Sequence, residues 1–179
     1  MHGLVSLLDA EHDSKVRRIW RELDDQCKYS GVNVTPIPHF SWGIAEEFDW
    51  TRIHGKLSQI AKRTRPFFIK TDGISMFTGP NPVIYIPIVR TLELSQLHSK
   101  IWRAVNGFAS SISNLYAPDS WMPHITLAFQ DVSEHNLTCL IQYLAFQNFS
   151  WTIGIDNISI IKQGEYEVGF VDHRFELTG

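Results

Sequence analysis

Two short strings decide the fold of this chain: P-H-F-S at residues 38–41 and P-H-I-T at residues 123–126, which lie 85 positions apart. A second pair recurs at almost the same spacing, because D-G-I-S at residues 72–75 returns as D-N-I-S at residues 156–159, 84 positions later. One short match can arise by chance in a chain with many strands, whereas two landmarks at nearly one spacing indicate an internal repeat. The sequence therefore predicts that one structural unit occurs twice.

The periodicity of apolar residues predicts the same order of elements in both halves, namely strand, helix, histidine-bearing strand, helix and strand. The expected strands span residues 3–9, 32–44, 67–77, 83–89 and 121–129, with two or three more in 149–177 separated by G-E-Y at residues 164–166. The expected helices span residues 10–29, 49–64, 92–108 and 134–147, and Gly31 is expected to end the first of them. This pattern predicts an α+β fold. We expect a single two-lobed domain over residues 1–179, with pseudo-repeat 1 at 3–79, pseudo-repeat 2 at 82–161 and a closing strand at 165–177.

Alternation along a strand gives the two repeated strings a matching polar face. His39 and Ser41 share one face opposite apolar neighbours, and His124 and Thr126 repeat the arrangement. An imidazole has an ordinary pKa of about 6.5, so near neutral pH one ring can accept a proton while the other donates one. In-line displacement at phosphorus needs a base and an acid on opposite sides, and nearby hydroxyls can donate to phosphate oxygens. We therefore predict two catalytic histidines and two phosphate-binding hydroxyls.

The other candidate residues are a possible metal site, the two cysteines and one tyrosine. A zinc site would need three or four clustered ligands, so we expect neither a metal nor a cofactor. Cys27 and Cys139 lie in helix-like patterns and are expected to be small buried side chains rather than a disulfide. Tyr85 alternates with Ile84 and Ile86, which places it on the cleft side of its strand, where it could stack on a nucleobase. A packed tyrosine with a satisfied hydroxyl is the alternative.

Composition and charge limit the classes of partner. The 179 residues are 44% hydrophobic, and no stretch approaches the roughly 20 apolar residues of a membrane-spanning helix. The net charge of −3 argues against a broad electrostatic contact with long duplex nucleic acid and favours a small or single-stranded ligand. The first residues have no basic leader and predict a strand rather than a targeting signal, so we expect a cytoplasmic protein. The default expectation for its oligomeric state is a monomer.

The strings P-H-F-S-W and P-H-I-T-L-A, in a duplicated α+β chain of this length, resemble the two-histidine phosphoesterase superfamily, which includes the bacterial 2′-5′ RNA ligase-like proteins. The resemblance extends to V-I-Y-I-P-I-V at residues 83–89, to L-E-L-S-Q-L-H at residues 92–98 and to the closing strands. It implies antiparallel central sheets that line one cleft, with helices on the outer faces. It also implies metal-independent cleavage of a 2′,3′-cyclic or 2′,5′-linked ribonucleotide phosphodiester, with the motif histidines as acid and base and the motif hydroxyls on the phosphate.

The substrate and the order of the histidine roles remain open. Many bacterial ligase-like members carry an arginine just after the second motif, where this chain has Phe129 and Gln130. This difference counts against a long RNA end as the substrate and leaves a smaller cyclic nucleotide or an altered phosphodiester open. The leading assignment makes His124 activate the attacking water or hydroxyl and His39 protonate the leaving oxygen, and two-fold symmetry leaves the reverse open. The alternatives to hydrolysis are a module that binds an RNA end or cyclic nucleotide without cleaving it, and 2′-5′ RNA ligation.

Overall fold

The computed structural model describes residues 1–163 and 168–179, and it contains an alternation of strands and helices close to the predicted one. The strands are β1 His2–Leu7, β2 His39–Ala45, β3 Glu47–Phe48, β4 Phe67–Lys70, β5 Ser75–Phe77, β6 Val83–Pro87, β7 Ala109–Ser110, β8 His124–Ala128, β9 Thr152–Ile155, β10 Asn157–Lys162 and β11 Phe170–Glu176. The helices are α1 Ala10–Cys27, α2 Trp50–Lys62, α3 Leu92–Val105 and α4 Glu134–Ala145. The G-E-Y separator and the start of the predicted closing strand, residues 164–167, lie outside the described residues.

Helix α1 begins and ends at residues with clear capping roles. The Asp9 side chain accepts a hydrogen bond from the backbone of the first turn. The helix stops at Cys27, and Lys28 adopts the left-handed conformation, with φ at 55°, that closes the last turn. The prediction that Gly31 ends this helix is therefore wrong. A lysine takes the conformation that usually favours glycine.

Both motif strands begin at the histidine itself. Residues 31–34 form a 3₁₀ turn and residues 35–38 are irregular, so the predicted strand over 32–44 is correct only from His39 onward. Pro36 and Pro38 explain the late start, because proline has no N–H to donate to a strand ladder. The second motif is similar, since β8 starts at His124 directly after Pro123. Each imidazole therefore lies at the end of a strand.

The two main sheets are each built from both halves of the sequence. One sheet has the order β11-β10-β1-β2 and the other the order β5-β6-β8, and every pairing is antiparallel. Strand β10 of the second half pairs with β1, and β5 of the first half pairs with β6. The short pair β4-β9 also joins the two halves. Each half thus donates its last strand to the other half's sheet, and the predicted α+β fold with antiparallel sheets is confirmed.

The helices cover the apolar faces of the motif strands from the opposite half. Helix α3 packs on β2 and α1 packs on β8, while β2 lies next to β8. The residues that alternate with the motif polar groups are fully or almost fully buried under these helices: Phe40, Trp42, Ile125 and Leu127. Their burial leaves the polar faces of both strands turned away from the helices. None of the helices in the described ranges is long and apolar enough to cross a bilayer.

A disulfide joins Cys27, at the end of α1, to Cys139 in α4. The expectation that these cysteines are unbonded is therefore wrong. The two residues are 112 positions apart, and they meet because α1 and α4 pack side by side. Nothing in the local sequence of either helix signals that contact.

Candidate active site

The two motif strands share one irregularity at equivalent positions. The register between β1 and β2 skips Trp42, and the register between β6 and β8 skips Leu127. In each strand the skipped residue follows the motif hydroxyl, Ser41 or Thr126. A bulge increases the local twist and re-aims neighbouring side chains. The backbone therefore turns the two hydroxyl residues in corresponding ways.

Both motif histidines are oriented by the same kind of hydrogen bond. The Nδ1 atom of His39 lies 2.5 Å from the carbonyl oxygen of Ile37, and that of His124 lies 2.7 Å from the carbonyl oxygen of Met122. A carbonyl only accepts, so Nδ1 must carry the hydrogen in each ring. In the neutral ring Nε2 then has a free lone pair. Neither Nε2 has a hydrogen-bond partner among the described residues.

One cleft of about 830 Å³ is lined by both imidazoles and by Ser41 and Thr126. The loops that precede the two motifs, at residues 31–37 and 115–122, contribute much of its wall. A volume of this size suits a small-molecule ligand. The structure thus places the four residues singled out from the motifs in one cavity.

Burial lowers the pKa of both histidines from the ordinary value of 6.5. A positive charge on His124 lowers the pKa of His39 further. Near neutral pH the neutral form of each ring is therefore favoured. A phosphodiester carries a negative charge, so its binding would raise both pKa values toward the neutral range.

Tyr116 is a cleft residue that the motifs did not reveal. It lies in a 3₁₀ turn that packs against β2, and its hydroxyl is adjacent to the Ser41 side chain. Burial raises the pKa of Tyr116 to about 12, so the hydroxyl stays protonated. Trp121 supports the same strand, because its Nε1 donates to the Ser41 carbonyl at 2.9 Å. Tyr116 lies in an irregular loop, where periodicity gives no prediction. Trp121 precedes β8, so the strand predicted over 121–129 begins only at His124.

Tyr85 lies behind the cleft wall rather than on it. It pairs in register with Thr126 and is 7% exposed. Its ring centroid is 4.9 Å from that of His124 and 4.2 Å from that of Phe77. Phe77 lines the cleft and Tyr85 does not, so a bound nucleobase would meet the phenylalanine first. The contact with Tyr85 instead supports the ring of His124.

The cleft wall is held by contacts between two loops that are about 100 residues apart. The Tyr29 hydroxyl donates to the Phe129 carbonyl at 3.0 Å and accepts from its N–H at 2.5 Å. The backbone N–H groups of Ser30 and Gly31 both donate to the Asp131 carboxylate at 3.1 Å. A Cβ at Gly31 would overlap the Phe129 carbonyl and this carboxylate. Glycine is therefore required here by the close approach of the loops.

The residues that the structure describes contain no cluster of three or more His, Cys, Asp or Glu side chains that could hold a metal ion. The cleft is a two-histidine site with hydroxyl groups. It can bind an anion and exchange protons with it.

Comparison with known sequences identifies the family. The profile of the 2′-5′ RNA ligase superfamily matches residues 8–167, which is most of the chain. A provisionally named phosphoesterase of Bacillus mycoides (strain KBAB4) is 27% identical over 125 residues, covering 70% of this chain and 68% of that protein. A second protein with that provisional name, from Oceanobacillus iheyensis, is 27% identical over 122 residues, covering 68% of this chain and 67% of its own length.

Solved structures show the same fold over almost the whole chain. A crystal structure of a Thermus thermophilus protein has a TM-score of 0.68 at 15% identity and covers 99% of this chain and 98% of its own. A crystal structure described as a phosphoesterase has a TM-score of 0.58 at 17% identity with the same coverage. Identities this low establish the fold alone. With the profile match, they show that this chain belongs to the 2′-5′ RNA ligase superfamily of two-histidine phosphoesterases.

Proposed function

We propose that this protein is a metal-independent phosphodiesterase that hydrolyses a 2′,3′-cyclic or 2′,5′-linked ribonucleotide phosphodiester, with His39 and His124 as its base and acid. The supporting observation is the matched orientation of the two rings in one cleft, each with Nδ1 bound to the backbone and Nε2 free. Membership of the superfamily supports phosphoester chemistry.

The two rings take complementary roles in the proposed reaction. One ring is neutral, and its Nε2 accepts a proton from the attacking water as the water oxygen bonds to phosphorus. The bond from phosphorus to the leaving ribose oxygen breaks, and the other ring, which is protonated, donates its Nε2–H proton to that oxygen. The product of a 2′,3′-cyclic substrate is then a 2′- or 3′-phosphate.

The motif hydroxyls complete the proposed site. Ser41 and Thr126 lie two residues from the histidines on the same strand faces and line the same cleft. Each can donate a hydrogen bond to a non-bridging phosphate oxygen, where negative charge develops during displacement. The Tyr116 hydroxyl, which stays protonated, lies beside the Ser41 side chain and can help to hold it in place.

The experiment measures hydrolysis of adenosine 2′,3′-cyclic phosphate and of a 2′,5′-linked dinucleotide in the presence of a chelator. The parent protein is compared with His39→Ala and His124→Ala, and His173→Ala is the control because His173 is exposed on β11. Each motif substitution should lower kcat/KM by about 10²–10⁴-fold, the usual contribution of a general acid or base. Full turnover in either variant, or loss of turnover on chelation, would refute the proposal. Binding by the parent without turnover would assign the cleft to recognition instead.

A further inference from the structure

The cleft offers an anion very little positive charge beyond its catalytic histidines. No lysine or arginine side chain is among the described residues that line it, and residues 164–167, outside the described ranges, are Gly-Glu-Tyr-Glu. Two other groups at the wall already have partners: His2 is hydrogen-bonded to the Glu47 carboxylate at 3.1 Å, and the amino group of Met1 donates to the Gln163 carbonyl at 3.2 Å. A second anionic group on a ligand would therefore find no lysine or arginine to pair with among the described residues of the wall.

The rim of the cleft is apolar where a charged rim would be expected for a polyanionic ligand. Leu115 is 75% exposed, Met122 is 55% exposed and Phe129 is 41% exposed, and all three line the cleft. Large apolar side chains exposed together around a pocket mark a contact surface for a ligand. The rim is thus suited to uncharged parts of a substrate.

The two sides of the cleft differ although the halves are related by duplication. Phe77 in β5 and Ile161 in β10 are 84 positions apart, the spacing of the second repeated string, and both line the cleft. The ring of Phe77 lies 5.1 Å from that of His124, so that side is aromatic, while the equivalent position on the His39 side is aliphatic. Aromatic rings bind nucleobases by stacking. The base of a nucleotide substrate would therefore lie on the His124 side.

We infer, on the basis of the proposed function, that the preferred substrate carries a single negative charge, which is the phosphodiester being cleaved, and a base that stacks on Phe77. A nucleoside 2′,3′-cyclic phosphate with a free 5′-hydroxyl belongs to this class. A 5′-phosphate carries about −1.5 to −2 charges at pH 7, and burying it against a wall whose described residues include no lysine or arginine is unfavourable. Nucleotides with a second phosphate, including RNA ends with flanking phosphates, are discriminated against.

The first test compares kcat/KM for adenosine 2′,3′-cyclic phosphate and for the same compound with a 5′-phosphate, both in chelator. The compound without the second phosphate should be hydrolysed at least about tenfold more efficiently, which corresponds to the unfavourable burial of an unpaired charge. Equal efficiencies would overturn this inference and leave the proposed function intact. Hydrolysis of neither compound would overturn both.

The second test places a cation at the rim. In Leu115→Lys the exposed side chain gains a positive charge at the cleft, and Leu92→Lys is the matched control because Leu92 is 70% exposed at the start of α3 and does not line the cleft. The rim variant should reduce discrimination against the 5′-phosphate by about fivefold, and added salt should weaken the effect. The control should leave discrimination unchanged. Unaltered discrimination in Leu115→Lys, or an equal change in both variants, would contradict the electrostatic argument.

Discussion

Breaking the Cys27–Cys139 disulfide should lower the free energy of unfolding by about 2–5 kcal/mol. The two sulfurs close a loop in which the cysteines are 112 positions apart. In the chain-entropy description, cross-linking a loop of that length stabilises the folded state by about 5 kcal/mol at 25 °C, and the values usually measured are about 2–4 kcal/mol. The perturbation is either a reductant or the double substitution Cys27→Ala with Cys139→Ala.

Breaking the disulfide should also affect the cleft. Two residues after Cys27, the Tyr29 hydroxyl makes both of its hydrogen bonds to the backbone of Phe129, and Gly31 donates to Asp131. Releasing the end of α1 from α4 therefore loosens contacts that hold one wall of the cleft. His124 lies at the opposite end of β8 from Phe129, and His39 lies at the start of β2, so KM should rise while kcat changes less.

The assay is denaturant unfolding of the parent and the double alanine variant, each with and without reductant. Reductant should shift the parent to a lower midpoint and leave the alanine variant unchanged, which separates loss of the disulfide from any general effect of the reagent. Two free thiols titrated in the denatured, unreduced parent would refute the pairing. A parent midpoint that is insensitive to reductant would refute the assigned stabilisation.

Three further outcomes are expected. Because burial lowers the pKa of both histidines below 6.5, the pH profile of kcat/KM should peak on the acid side of pH 6.5 and fall as the acid deprotonates. The pH profile of kcat should peak at higher pH, since the bound anion raises the pKa of both histidines. Coincident profiles for kcat/KM and kcat would contradict this expectation. Tyr116→Phe should lower kcat/KM about three- to tenfold, which is the effect of one lost hydrogen bond, and should leave the unfolding midpoint unchanged. Unchanged kinetics would show that Tyr116 does not position Ser41. Gly31→Ala should destabilise the fold by about 1–3 kcal/mol, because the added Cβ overlaps the Phe129 carbonyl. Gly55→Ala, whose added Cβ meets open space in α2, should stabilise the fold by about 0.5–1 kcal/mol. Similar unfolding midpoints for the two variants would count against the close approach of the two loops at Gly31.

Local patterns in the sequence were sufficient for the four helices, for the motif strands from their histidines onward and for the four motif residues in the cleft, whereas the strand expected over 67–77 is two separate strands. Phe40 and Ile125 alternate with polar residues, and a strand with one wholly apolar face must bury that face. The polar alternates then share the opposite face by geometry. This reasoning needs no knowledge of which strands pair, so the fold class and the grouping of the motif residues could be predicted.

Features that depend on distant partners could not be predicted in this way. Order along the chain does not specify that β10 joins β1 or that β5 joins β6, so the exchange of the last strands was not foreseen. Parity predicted Tyr85 on the cleft side of its strand, but parity says nothing about Phe77 on the neighbouring strand, which packs against Tyr85 and lines the cleft in its stead. Tyr116 lies in an irregular loop and was missed for the same reason.

The state of the disulfide depends on the cellular compartment in which the protein acts. Disulfides persist in oxidising compartments and are reduced by the thiol buffers of the cytosol. If the protein acts in the cytoplasm, the link is reduced there and the protein has the lower stability described above. Thiol state in freshly lysed producing cells, trapped by alkylation, distinguishes the two situations.

The short repeated string is sufficient to set the orientation of both motif imidazoles. The carbonyl oxygen of the proline before each histidine accepts from the residue that follows the neighbouring strand, Pro38 from Leu8 at 3.4 Å and Pro123 from Ile88 at 3.0 Å. The carbonyl one residue before the proline accepts from the imidazole Nδ1. Because proline has no N–H, the strand ladder begins only at the histidine, and the two carbonyls are free to make these separate hydrogen bonds. The backbone around the string thus sets the tautomer of the histidine in both halves. Residues outside the string determine the chemistry of the cleft wall, so the wall can change while the orientation of the two imidazoles is kept.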